Sequence, residues 1–515
     1  MAFPLQEYLR EYATELEQSP LRVALLDSPA DPSGLAAGSA RTCYSNNGLI
    51  TPQDSHERNP ELSRKVLRNT LDSGHLTTRQ HSQFVFAIEG ISRHLIHDYL
   101  HAHPYYNSEQ VSQRYTRTHS GKDWYSLPPV LQTRVVYEHM QAMVAAYENI
   151  TTLLMQPAAD LHYGRFRTRE RNATNDRAVQ KKTMEVARYS LPVSTTAYLY
   201  HTVSQLTLMR YALTIHSTGL TEQIVLVLKM LQAVLSRHPE LASEFPYPME
   251  TDRAEVSPAQ AERANNLFDE SLQGKNARLL AYPASPDELL KLGWLSAVGS
   301  EPPSTEEILR ALLSPEKNPG TASVLYPLTL DASSRILQIL TFQFQKKISH
   351  TADSQAQRHR TIPGTRPNLP SQISLQTEFV TPALLQHSEQ ALGVYHDSME
   401  KTFALIRSLF NQGISLYDLA YLIPNSFPVR YVESSDLLNL FHRFKTRLCF
   451  NAQEEIWSST QREALSMAEV FPALEPYLAA PCALRHSIQP RCPEGSHYCG
   501  VKVWKIPLSE QTRVI

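Results

Sequence analysis

The chain has 515 residues, 42% hydrophobic and 19% charged, with a formal net charge of −2. That length exceeds what one ordinary core organises, so two domains are expected, and the composition excludes a long disordered chain. The charge balance excludes bulk electrostatic binding of nucleic acid, and no apolar run of about eighteen residues is present to span a membrane. The opening residues lack the basic-then-apolar order of a secretory signal, so a cytoplasmic location is expected.

Taken in chain order, Leu5 to Leu16 has helical spacing. Gln83 to Ile88 alternates as a strand, with Phe84, Phe86 and Ile88 on one side. Val135–Met155, Val203–Ile215 and Leu220–Leu235 read as apolar-periodic helices. From about Pro246 to Gln273 the composition turns polar, which marks a join. The domains are read as 1–250, a linker at 251–275, a second domain at 276–480 and a Cys- and His-containing tail at 481–515. Gly299–Thr305 and Thr361–Pro370 are loop-like within the second domain. The later half repeats the grammar of the first. Ala187-Arg188-Tyr189-Ser190-Leu191-Pro192 precedes a strand-like stretch and a helix, and so does Ala420-Tyr421-Leu422-Ile423-Pro424. A long helix comes before each, at roughly 136–155 and 383–411. Internal duplication is the economical reading, although Leu-x-Pro before a helix also arises without one.

The segment Gly74-His75-Leu76-Thr77, His81, strand, then Ser108-Glu109-Gln110-Val111-Ser112-Gln113-Arg114-Tyr115 carries a resemblance. It is similar to the flavin-dependent thymidylate synthases, whose Gly-His-x-Thr…His segment precedes a strand and whose signature ends in Ser-x-Arg-Tyr. Ala40 to Ser45 resembles that family's opening, and Ala187 to Pro192 its later turn. Where the family has Arg-His-Arg this half reads Ala102-His103-Pro104, or His101-Ala102-His103 one register earlier. The family's helix-end arginine is Ile215 here. The second half supplies both: Arg358-His359-Arg360 with Gln355 three residues before, and Arg447 followed by Asn451-Ala452-Gln453-Glu454-Glu455-Ile456. It lacks Ser-x-Arg-Tyr, having Pro363 to Pro367 instead, and has Ala420 where the first half has Arg188.

The resemblance implies an α+β fold of two tandem domains, mainly helical with small antiparallel sheets. It implies reductive methylation of dUMP with FAD as cofactor and NADPH and methylenetetrahydrofolate as co-substrates. In the family each nucleotide site is shared between subunits, so the losses are complementary. Ser112, Arg114 and Arg188 survive in one half, and Gln355, Arg358 and Arg447 in the other. One composite nucleotide site follows as an expectation, with Arg447 polarising the base and Ser112 positioning it. His81, Arg358, His359, Arg360, Glu109, Gln110, His442 and Asn451 are the expected cofactor contacts. Two doubled chains would form a homodimer resembling the family's tetramer. Two alternatives stay open: an inactive nucleotide-binding relative, and a flavoenzyme acting on another pyrimidine nucleotide.

The residue types suit this chemistry. Guanidinium forks match phosphate oxygens bidentately, and a glutamine reads a pyrimidine edge with one donor and one acceptor. Taken singly, most arginines only pair with surface carboxylates. No Gly-x-Gly-x-x-Gly follows a strand, so no Rossmann domain is indicated. His94, His97, His101 and His103 read as hydrogen-bonded histidines or as a metal site. Cys482, Cys492 and Cys499, with His486 and His497, read as reduced thiols or as a zinc site without the usual paired spacing.

Overall fold

The structure, a computed structural model, describes residues 2–46, 48–57, 59–118, 124–166, 170–251, 257–323 and 325–515. It divides into two compact units that interleave along the sequence. Unit 1 comprises Met1–Gln141, Pro192–Val256 and Ile406–Ile423; unit 2 comprises Ala142–Leu191, Ser257–Leu405 and Pro424–Ile515. Each repeat therefore gives a segment ending at its Tyr-containing turn to the unit built mainly by the other. Within the stretch read as a linker, Pro258–Leu272 is a helix. Among the described residues no helix is long and apolar enough to cross a membrane.

Unit 1 is built on a four-stranded antiparallel sheet: β1 (Arg22–Asp27), β2 (Gln83–Ser92), β3 (Asn107–Gln110) and β4 (Thr196–Ser204), in the order β1-β2-β4-β3. Alternation along β2 buries Phe84, Phe86 and Ile88 completely, as the sequence period requires. Burying side chains of this size stabilises the sheet by about 1.5–3 kcal/mol each. β4 runs further than expected: the helix begins at Gln205, not Val203, because Ser204 is its N-cap and accepts from Thr207 N at 3.2 Å. The next helix, Thr221–Arg237, buries Ile224, Leu228 and Leu231.

Unit 2 repeats the plan with β5 (Ala277–Ala281), β6 (Thr341–Ser349) and β7 (Pro428–Asp436), paired antiparallel in the order β5-β6-β7. Phe342 and Phe344 on β6 face inward like Phe84 and Phe86, and the next inward position is Lys346, 1% exposed. Among the described residues no strand matches β3. At its place Gly364 makes an isolated bridge to Glu433, between Pro363 and Pro367, whose rings remove the backbone donors a ladder needs. The helix Leu437–Arg447 follows β7 and is capped by Asp436, which accepts from Asn439 N at 2.9 Å.

Candidate active site

The residues expected to bind nucleotide fall into two sets. Arg188, Gln355, Arg358 and Arg447 lie in unit 2, and Ser112 and Arg114 lie in unit 1. Arg188 thus joins the unit that holds the second repeat's glutamine and arginines, although it comes from the first repeat.

In unit 2 the site starts at a helix cap. Ser349 ends β6 and caps the helix His350–Ala356, accepting from Ala352 N at 3.1 Å. Gln355 stands on the last turn of that helix. Arg447, at the end of Leu437–Arg447, donates from Nη2 to the Gln355 carbonyl at 2.7 Å and from Nε to His359 Nε2 at 2.9 Å. His359 can accept because it is neutral: burial, then the charges of Arg447, Arg443, His442 and Lys346, hold it well below the usual imidazole range. Its other nitrogen, Nδ1, therefore carries the proton. The His442 ring meets His359 edge-on, with centroids 5.9 Å apart. Arg358 and Arg360 are exposed.

Beneath these groups lies a buried charge network. Lys346 Nζ contacts Glu463 at 2.6 Å and Glu433 at 3.5 Å, and Arg443 pairs with both carboxylates. Arg366 binds Asp353 at 2.8 Å, so this arginine of the Pro363–Pro367 segment is committed to the interior. Arg443 lies one helical turn before Arg447, so the network anchors the helix that carries it.

A second hydrogen-bonded set was not assigned a role by sequence reasoning. Glu455 accepts from Ser349 N at 2.6 Å, from Ser349 Oγ and from the Tyr189 hydroxyl. Tyr189 also accepts from Gln453 Nε2, and Gln453 Oε1 accepts from Gln355 Nε2. Burial raises the Glu455 carboxyl; the bonds from Ser349 and Tyr189 and the charge of Arg188 oppose that rise. Burial and Glu455 push the Tyr189 phenol well above its ordinary value, so it keeps its proton. The available signal was repetition: Tyr189 and Tyr421 precede their prolines alike, and Glu222 and Glu455 occupy matching helix starts.

In unit 1, Ser112 Oγ accepts from Arg114 N at 3.3 Å, and Tyr115 N and Thr116 N both bond Ser112 O. The guanidinium of Arg114 lies 5.5 Å from the Tyr115 ring centroid. Glu109 and Gln110 are on the edge strand β3, and His81 is exposed beyond a short turn at Leu76–Gln80. Counting from the caps Ser92 and Ser349 aligns Arg358-His359-Arg360 with His101-Ala102-His103 and Gln355 with Asp98. Counting from Ser204 and Asp436 aligns Arg447 with Ile215, which is fully buried. Asp98 is locked between His94 Nε2 (3.1 Å) and His97 Nδ1 (2.8 Å). His103 Nε2 and His201 Nε2 lie 2.9 and 3.2 Å from the Tyr211 hydroxyl, and His101 stacks on Tyr106 at 4.7 Å. This half has filled its interior with its own rings.

One expected cofactor contact points elsewhere. Asn451 donates to the His497 carbonyl at 2.7 Å and to Glu494 at 3.3 Å, which ties it to the C-terminal segment. Cys482 is buried and all five cysteines are free thiols. Among the described residues no three His, Cys, Asp or Glu side chains form a group able to hold a metal ion, and this includes the histidines of unit 1 and the tail cysteines.

The fold is one domain plan carried twice, and sequence comparison names the family. The profile of the Thy1 family, thymidylate synthase complementing protein, matches residues 24–240 and again 279–473. The chain belongs to this family, the flavin-dependent thymidylate synthases, and carries its domain twice. It is similar to the flavin-dependent thymidylate synthase of Clostridium tetani, 28% identical over 196 residues, which span 37% of this chain and 72% of that protein. The protein of the same name from Nitratidesulfovibrio vulgaris is 31% identical over 145 residues, 26% of this chain and 57% of that one. The one from Mycolicibacterium vanbaalenii is 25% identical over 256 residues, 47% of this chain and 96% of that one. The crystal structure of Helicobacter pylori ThyX complexed with FAD and dUMP matches at 17% identity over 44% of this chain and 99% of that chain, with a TM-score of 0.30.

Proposed function

We propose that the chain is an active flavin-dependent thymidylate synthase that methylates dUMP at C5, with FAD, NADPH and methylenetetrahydrofolate, at one nucleotide site per chain. The observation that carries this reading is the linkage within unit 2 of Gln355 and Arg447, by a 2.7 Å bond, alongside Arg188 from the other repeat. The charges and donors suit a nucleotide monophosphate. Arg188, Arg358 and Arg447 supply guanidinium forks, and Gln355 supplies a base-reading amide. Assignment of Ser112 and Arg114 to the same nucleotide rests on the family resemblance.

The donor set also fits FAD: exposed Arg358 and Arg360 offer charge to a diphosphate, and His442 offers an imidazole. When bound, the flavin supplies the hydride chemistry. The chain's own part is to orient the base, with Arg447 placing its charge where the pyrimidine oxygen gains electron density. His359 accepts from Arg447 Nε, so that guanidinium cannot swing away.

Purified protein is expected to be yellow and to release tritium from 5-tritiated dUMP when given NADPH and methylenetetrahydrofolate. Protein that cannot be loaded with FAD and releases no tritium would contradict the catalytic reading.

A further inference from the structure

With Glu455 ionised, the form that its bonds from Ser349 and Tyr189 favour, the hydrogen bonds from Glu455 to Gln355 run in one direction. Ser349 Oγ accepts from Ala352 N, so its own proton goes to Glu455, as does the proton of Tyr189. Having donated to the carboxylate, the Tyr189 oxygen can only accept from its other neighbour, Gln453 Nε2. The Gln453 amide is thereby fixed with Oε1 towards Gln355, which must donate to it. The second Gln355 N–H goes to the Thr351 carbonyl at 3.2 Å, an acceptor that no reorientation can change. Both donors of Gln355 are spent, and what it has to offer a ligand is an acceptor, Oε1.

We infer that Tyr189 and Gln453 are positioning residues that set Gln355 as an acceptor and so select a pyrimidine that donates from N3, a uracil-type base. This rests on the nucleotide reading above. A uracil-type base carries N3–H between two carbonyls. Arg447, bonded to the Gln355 backbone, is the donor that matches a neighbouring carbonyl. Cytosine N3 has a lone pair and would face Gln355 acceptor to acceptor. Unit 1 holds the same clasp without the relay. Glu222 accepts from Ser92 N at 2.8 Å and from Tyr421 at 3.0 Å, but the residue two before it is Leu220 and the counterpart of Gln355 is Asp98.

The test compares affinities of the full chain for dUMP and for N3-methyl-dUMP by calorimetry, in the wild type, Tyr189→Phe and Gln453→Leu. The wild type should prefer dUMP by ~100-fold, since an unmet buried acceptor is costly. In either variant the preference should fall to about 10-fold or less, because the amides are free to turn, with dUMP affinity itself falling less than ~10-fold. A preference unchanged in a variant that still binds dUMP overturns the relay. It shows that the removed group only supported the fold. Should Tyr189→Phe fail to fold, Gln453→Leu carries the same test. A wild type that binds dUMP without preferring it over the methylated base also overturns the relay. A wild type that binds neither nucleotide overturns the nucleotide reading itself.

Discussion

In unit 1 the β2–β4 pair sets Phe86 opposite His201 and Ile88 opposite Leu199; in unit 2 the β6–β7 pair sets Phe344 opposite Glu433 and Lys346 opposite Tyr431. Matching positions thus carry Ile88 and Lys346, His201 and Glu433, and, seven residues past the helix caps, Tyr211 and Arg443. One sheet plan supports two interiors. At these positions unit 1 carries neutral side chains, with His103 and His201 sharing the Tyr211 hydroxyl. Unit 2 links Lys346, Arg443, Glu433 and Glu463, with Arg366 also against Glu433, and sets Arg447 one helical turn beyond Arg443. The difference shows that the fold does not require charges at these positions of sheet and helix. The ionic network is kept in the unit that holds an arginine in a fixed orientation, which is where its desolvation cost has a use.

The sharpest way to break this comparison is to remove one charge. Glu463→Ala removes one of the two carboxylates that Lys346 and Arg443 share, leaves an excess of buried positive charge and should cost about 3–5 kcal/mol in urea unfolding. Tyr211→Phe in unit 1 removes one hydroxyl between two neutral imidazoles and should cost about 1–2 kcal/mol. Equal losses would mean that the two interiors are energetically alike. Next in size, Arg447→Ala should weaken dUMP binding by ~100-fold or more, while Ile215→Ala at the matching position should leave it within about 2-fold and only destabilise the fold.

Acidification separates the interiors by a different route. Burial pushes His103 down to about 4 and His201 to about 3. In the unfolded chain both titrate near 6.5. As pH falls below that value the unfolded state takes up protons that the folded state refuses. Stability should therefore drop from about pH 6.5 towards pH 4 and level off only below the folded values. His201→Phe should flatten that loss in a melting series from pH 4 to 7. The smallest effect concerns Glu454, which burial and then Glu455 raise to about 7. The folded state holds its proton longer than the unfolded state, so stability falls as pH rises from about 4.5 to 7. Glu454→Gln should stabilise by about 1 kcal/mol more at pH 8 than at pH 4, measured by urea unfolding.

Much of this was legible in the residues. The alternation of Phe84, Phe86 and Ile88 gave β2, and the family resemblance gave the exchange of Arg447 for Ile215, which the equal spacing from the caps Ser204 and Asp436 matches. Other features were hidden for physical reasons. Lys346 sits in a strand where lysine normally reads as surface, and its burial depends on Glu433 and Glu463 far along the chain. The transfer of 142–191 and 406–423 between units leaves no periodic trace, because it is a matter of tertiary contact. Tyr189 reads as core from its motif, and only its bonds to Glu455 and Gln453 reveal a polar task. Asn451 lies in a family-like stretch, yet its amide is drawn to the tail by a carbonyl that no local pattern announces.

The central claim is one nucleotide site per chain that uses arginines from both repeats. Calorimetric titration of the full chain with dUMP, run on the wild type, Arg114→Ala and Arg447→Ala, tests it most directly. The account predicts about one nucleotide bound per chain and loss of binding in both variants. Two nucleotides per chain, or an Arg114→Ala protein that binds dUMP as the wild type does, would contradict it.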